Sequence, residues 1–145
     1  MVPYKIFAIN PGSTSTKIAL FEGNQPVFSS NVAHDAEVLK QYREISDQFD
    51  YRKETILEEV EKAGVSLEGV DAFSARGGGL VSVEGGVYVV NDKLLEHARA
   101  GFSVKHPAML GAQLADAFSK TYGGNAYVVN PPDVDEFSDL ARVTG

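Results

Sequence analysis

Two short apolar runs, Ile6-Phe7-Ala8-Ile9 and Ile18-Ala19-Leu20-Phe21, are joined by Asn10-Pro11-Gly12-Ser13-Thr14-Ser15-Thr16-Lys17, and no other stretch constrains the chain as much. Asn-Pro-Gly-Ser between β-forming runs is turn chemistry, so the segment is predicted to be a β-hairpin. The turn offers the backbone N–H groups of Gly12 to Ser15, the hydroxyls of Ser13, Thr14, Ser15 and Thr16, and the amide of Asn10. N–H groups converging in a tight turn form an anion-binding nest, and Lys17 adds a positive charge beside it. The Walker pattern is absent. The residues after the turn are β-formers leading to a second turn at Glu22-Gly23-Asn24, so the loop does not open the helix that a dinucleotide fingerprint requires. Taken alone, the motif fits a Ser/Thr-rich hairpin with no ligand equally well.

Downstream, Pro26–Val32 reads as a third antiparallel strand. Residues Ala36 to Gly64 carry helical signals: no interior Gly or Pro, mixed charges, and Ile56, Leu57, Val60 and Ala63 at helical spacing. Gly64 is a plausible C-cap, and a break near Asp47–Asp50 suggests two pieces. Val70–Ala75 is a short apolar strand closed by Arg76 and three glycines, and Val87–Val90 is a candidate short strand. Asn91 or Asp92 can cap a helix running to about Ala100. Ala108–Thr121 is amphipathic, with Leu110, Leu114, Ala117 and Phe118 on one face. Ala126–Val129 is a final core strand, followed by a Pro-Pro turn and a short helix near Phe137–Val143. Three antiparallel strands followed by strands alternating with helices predict an α/β fold with a mixed five-stranded sheet flanked by helices.

Composition removes several function classes. A net charge of −7 argues against a nucleic-acid footprint, which needs clustered Lys and Arg. The chain has no cysteine and only three scattered histidines, so neither a disulfide scaffold nor a zinc site is indicated, and any metal would be oxygen-bound. No run approaches the roughly 18 apolar residues of a membrane span, and no cleavable signal follows Met1, so a cytoplasmic location is the expectation. The same acidity poses a problem for a phosphate binder. Lys17, Arg76 and Lys105 are the only basic residues in the candidate site segments.

The pattern strand, Asn-x-Gly-Ser-x-Ser-x-Lys, strand resembles the first phosphate loop of the acetate and butyrate kinases, which carry the actin-like (ribonuclease H-like) fold. Ser74-Ala75-Arg76-Gly77-Gly78-Gly79-Leu80, Val104-Lys105-His106-Pro107-Ala108 and Val128-Val129-Asn130-Pro131-Pro132-Asp133-Val134-Asp135-Glu136 follow in matching order. The glycine-flanked and last segments look closer to butyrate kinases. Those kinases are longer and two-domained, so the resemblance implies that residues 1–145 form the amino-terminal domain. A carboxyl-terminal domain would then be its partner, holding most of the adenosine site. It further implies reversible transfer of the ATP γ-phosphoryl group to a short or branched-chain carboxylate with Mg²⁺, and it is compatible with a homo-oligomer. Acetate or propionate kinase activity, or a non-catalytic actin-like interaction module, are the alternatives.

In that scheme Asn10, Gly12, Ser13, Ser15 and Lys17 bind phosphate, while Arg76, Gly77, Gly78 and His106 meet the carboxylate and the transferring group. Arg76 directly precedes its glycines, whereas acetate kinases place their arginine a few residues earlier. Read without the resemblance, Arg76 is an exposed arginine on a glycine turn, and His106 is a solvated loop histidine. Acetate kinases end the last strand in an Asp where this chain has Asn130, which leaves Asp133 or Asp135 for Mg²⁺. These acids serve equally well as caps of the helix near Phe137. His34 and His97 read as surface residues. Asp50, Glu58, Glu59 and Glu61 read as a solvated helix face.

Overall fold

The computed structural model describes residues 3–76, 87–100 and 107–129. Strands β1 (Lys5–Pro11), β2 (Ser15–Glu22) and β3 (Gln25–Ala33) are consecutive antiparallel neighbours. Gly23, at φ 62°, permits the tight turn between β2 and β3. After β3 come a single helical turn, α1 (Ala36–Leu39), a 3₁₀ turn at Ile45–Gln48, and α2 (Phe49–Lys62). The helical stretch expected over 36–64 is therefore three pieces. Glu44 starts the second by exchanging capping bonds with Asp47.

Helix α2 stops where the sequence places its cap. Gly64 takes φ 70°, its N–H donates to Glu61 O at 3.0 Å, and Val65 N–H donates to Val60 O at 3.1 Å. That is a Schellman ending, which needs a left-handed residue at the glycine position.

Strand β4 (Ala72–Ala75) pairs parallel with β1, and β6 (Asn125–Val129) pairs parallel with β4. Between them lie β5 (Val87–Val89), α3 (Asp92–Ala100), a 3₁₀ turn at Pro107–Leu110 and α4 (Gly111–Tyr122). Among the described residues the sheet has six strands in the order β3-β2-β1-β4-β6-β5, one more than expected. The addition is β5, which zips antiparallel onto the edge of β6 through Val87, Tyr88 and Val89. The expected helix near Phe137–Val143 lies outside the described residues.

Alternation along each strand decides the layers. Phe7, Ile9, Ile18, Leu20, Phe73, Ala75 and Ala126 face one way and meet Ile56 and Val60 of α2 with Leu114, Ala115 and Phe118 of α4. Phe7, Phe73 and Phe118 form a triangle with ring centroids 5.9 to 6.1 Å apart. Leu95 and Ala98 of α3 pack on Ala112 and Val128 of the same layer. Each fully buried Phe or Leu contributes roughly 1.5–3 kcal/mol relative to exposure, so this layer holds the sheet. Among the described residues, the helices that flank the sheet pack on this one face. The other face, carrying Ala8, Asn10, Lys17, Ala19 and Ser74, is left accessible.

Candidate phosphate-binding site

The β1–β2 turn is held open from inside. Gly12 N–H donates to Ser15 O at 2.7 Å, so this amide closes the turn instead of facing a ligand as expected. Among the described residues the amides of Ser13 and Thr14, which lie between the two strands, have no backbone acceptor. Ser13 and Thr14 are exposed, and Ser15 is half-buried. Two successive N–H groups at the tip of a hairpin, unpaired among the described residues, form a cradle for an anion beside the start of β2.

The ladder places two further polar side chains beside this cradle. Asn10 is directly opposite Lys17 on β2, and both point to the accessible face. Arg76 follows β4, and its N–H donates to Ile9 O at 3.1 Å, which sets it next to Asn10 on the neighbouring strand. Asn10 and Arg76 line one depression of about 460 Å³, and Asn10 and Lys17 line an adjoining one of about 550 Å³. Asn10 is shared by both. Ser13, Ser15, Lys17, Asn10 and Arg76 therefore gather at the carboxyl ends of β1 and β4, where open α/β sheets bind ligands. Gly77, Gly78, His106, Asp133 and Asp135 lie outside the described residues. Among the described residues no group of three or more His, Asp or Glu could hold a metal ion. The groups present fit phosphate oxygens, being amides and cations. They do not by themselves form a Mg²⁺ site.

Behind the turn is a polar cluster that departs from the expectation. Thr16 is fully buried, so its hydroxyl points into the domain and away from the turn surface. Its Oγ1 accepts from Arg52 Nη1 at 3.2 Å and lies 2.8 Å from His34 Nε2. Arg52 is fully buried on α2. It donates from Nε to Gln48 Oε1 at 3.1 Å and reaches the carbonyls of Ser13 and Ser15 at 3.5 Å each. Burial lowers its pKa to about 10, opposed by Tyr51, so it remains a cation at neutral pH.

His34 is not a surface residue: only 7% of it is exposed. The peptide before it is pinned by β3 pairing, with His34 N–H donating to Thr14 O at 2.9 Å, and the ring meets Tyr51 edge-on at 5.4 Å. Burial first and Arg52 second lower its pKa to about 4, so it is neutral under ordinary conditions. Its Nδ1 is buried without a hydrogen-bond partner among the described residues. The expectation that Glu59 is solvated also fails in part, because it is half-buried and accepts from Ser30 Oγ at 2.8 Å.

A legible signal for Arg52 existed. The buried positions of α2 are Arg52, Ile56 and Val60, so the apolar stripe extended back by one turn lands on the arginine. Gly111, at the start of α4, was also missed. A Cβ there would overlap the Arg76 carbonyl oxygen, so only glycine lets α4 approach the strand end that carries Arg76.

A three-strand antiparallel start, parallel β4 and β6, and polar groups gathered at the strand ends define the actin-like α/β fold. Acetate kinase from Porphyromonas gingivalis shares it at TM-score 0.52 and 13% identity, covering 87% of this chain and 37% of that one. Acetate kinase from Entamoeba histolytica does so at TM-score 0.51 and 13% identity, covering 94% and 37%. No family model matches the chain. It is 40% identical over 142 residues, 98% of its length, to butyrate kinase 2 of Clostridium acetobutylicum, and it is a homologue of that protein. The chain spans 40% of that relative's length. Among the described residues, no helix is long and apolar enough to cross a membrane.

Proposed function

We propose that this chain is the phosphate-gripping domain of a carboxylate kinase of the butyrate type, acting on a short or branched-chain carboxylate. The observation that carries the reading is the β1–β2 turn, where the amides of Ser13 and Thr14 have no backbone acceptor among the described residues and lie beside Asn10, Lys17 and Arg76. The 40% identity to a butyrate kinase supports it. Phosphoryl transfer asks for positioning and charge neutralisation more than covalent chemistry. The turn amides and Asn10 hold phosphate oxygens, and Lys17 offsets their charge. Arg76 steadies the carboxylate against the γ-phosphorus. A carboxylate oxygen forms the new P–O bond while the bond from the γ-phosphorus to the bridging oxygen breaks, giving an acyl phosphate and ADP. Mg²⁺, when bound, would neutralise the phosphates, with Asp133 or Asp135 as its protein ligands. His106 and the Gly77-Gly78 backbone complete the carboxylate side.

A second domain would close over ATP and supply the adenosine pocket, so the 145-residue chain alone is inactive. Losing even one transition-state donor costs on the order of 10²–10³ in rate, and here several would be missing. The test is acyl phosphate trapped with hydroxylamine from butyrate and Mg-ATP, using this chain and a longer protein of the relative's full length that contains it. Turnover by the longer protein alone is expected. Robust turnover by the 145-residue chain would overturn the two-domain reading. A longer protein inert toward acetate, propionate, butyrate and isobutyrate would overturn the kinase reading.

A further inference from the structure

We propose that Arg52 is a positioning residue that furnishes the buried positive charge of this anion site, acting through the turn from behind. This rests on the reading of the β1–β2 turn as a phosphate cradle. The geometry has three parts. First, Arg52 is fully buried, and among the described residues no carboxylate forms an ion pair with it. A buried cation without a counter-ion is costly and rare, and it is most readily explained where an anion arrives to balance it. Second, among the described residues its guanidinium is held by neutral acceptors: Gln48 Oε1, Thr16 Oγ1 and the carbonyls of Ser13 and Ser15. Third, two of those acceptors belong to the cradle.

A carbonyl and the N–H of the same peptide point in opposite directions, because the peptide unit is planar and trans. Drawing the Ser13 carbonyl inward toward Arg52 therefore turns the Thr14 N–H outward. The arginine thus orients the cradle and adds its charge to the same point. Lys17 and Arg76 work from the exposed side, where solvent screens them, whereas a charge enclosed in the protein is screened much less. A chain of net charge −7 needs such a local source to attract a polyanion. Thr16 accepts from the guanidinium and His34 holds the Thr16 hydroxyl in turn, and neither adds negative charge.

The test uses inorganic pyrophosphate as the probe and the 145-residue chain, with folding checked by two-dimensional amide spectra. In the wild-type chain, the Arg52 Nε–H resonance should shift along the same isotherm as the Ser13–Ser15 amides. Arg52→Met should weaken binding by at least about tenfold, and Arg52→Lys, which keeps the charge, should recover affinity to within about threefold of wild type. A purely structural role would leave pyrophosphate affinity unchanged in any variant that still folds. Folded Met and Lys variants of equal, weakened affinity would overturn the charge assignment. If both variants unfold, a wild-type Nε–H resonance unmoved at saturation overturns it. Pyrophosphate carries no acyl group, so failure of the hydroxylamine assay would sink the carboxylate reading and leave this result standing, and the reverse holds too.

Discussion

Lowering the pH through the range where a free histidine titrates should destabilise this domain through His34. The ring is buried against Tyr51 and Thr16 and faces the Arg52 cation, so its folded-state pKa falls from 6.5 to about 4. Between those values the unfolded chain binds a proton that the folded chain refuses. Stability therefore rises with pH across the window, is fully present above pH 6.5, and is lost as pH falls toward 4. At 1.36 kcal/mol for each tenfold change in proton affinity, the full span is about 3 kcal/mol, and the slope near pH 5 is about 1.2 kcal/mol per pH unit. The comparison that isolates His34 is wild type against His34→Gln, which keeps a polar group near Thr16 but does not titrate. Urea unfolding at pH 7, 6, 5 and 4.5 gives both curves. The variant should start about 1 kcal/mol less stable through a poorer hydrogen bond, then lose stability more slowly, so that the curves converge or cross by pH 4.5. Parallel curves over the whole range would refute the reasoning, because they would mean that His34 takes up a proton as readily folded as unfolded.

Three further outcomes follow from the packing. Gly111→Ala forces the new Cβ onto the Arg76 carbonyl, so a loss of about 1–3 kcal/mol is expected in urea unfolding, with amide shifts at Arg76 and Ile9 showing that the strand end has moved. Phe118→Ala empties the centre of the three-ring cluster and should cost about 3–5 kcal/mol, read as a large drop in thermal midpoint. Thr16→Val keeps the volume but leaves Arg52 and His34 short of a partner. A cost of about 1–3 kcal/mol is expected, whereas a neutral outcome would show that the cluster contributes little to stability.

The first three strands were legible because the apolar runs are short, β-branched and separated by turns with unambiguous chemistry, and the parallel strands followed from alternation with helices. The end of α2 was legible for a local reason, since Gly64 takes the left-handed conformation that stops a helix. Strand β5 was harder. Val87–Val89 has β-forming residues, but whether they pair depends on the exposed edge of β6, a non-local fact. The surface of the phosphate cradle could be read from Asn10, Ser13, Ser15 and Lys17, because turn chemistry and polar side chains announce it. Its interior could not. Thr16 alternates inward in β2, and His34 and Arg52 are polar residues that reach its hydroxyl from distant segments of the chain. Composition suggested a deficit of positive charge at the site because the helical spacing that marks Arg52 as buried does not say that it reaches back beneath the turn to Thr16, 36 residues earlier.

If the β1–β2 turn holds phosphate, nucleotide binding must register first at its amides. The most direct measurement is a titration of the isotopically labelled chain with Mg-ATP, followed through every backbone amide. Saturable shifts are expected that are largest at Ser13, Thr14 and Ser15, accompanied by Asn10, Lys17 and Arg76, and abolished by Lys17→Ala with the remaining spectrum intact. Shifts that cluster elsewhere on the domain, or turn amides that stay unmoved at saturating nucleotide, would contradict it.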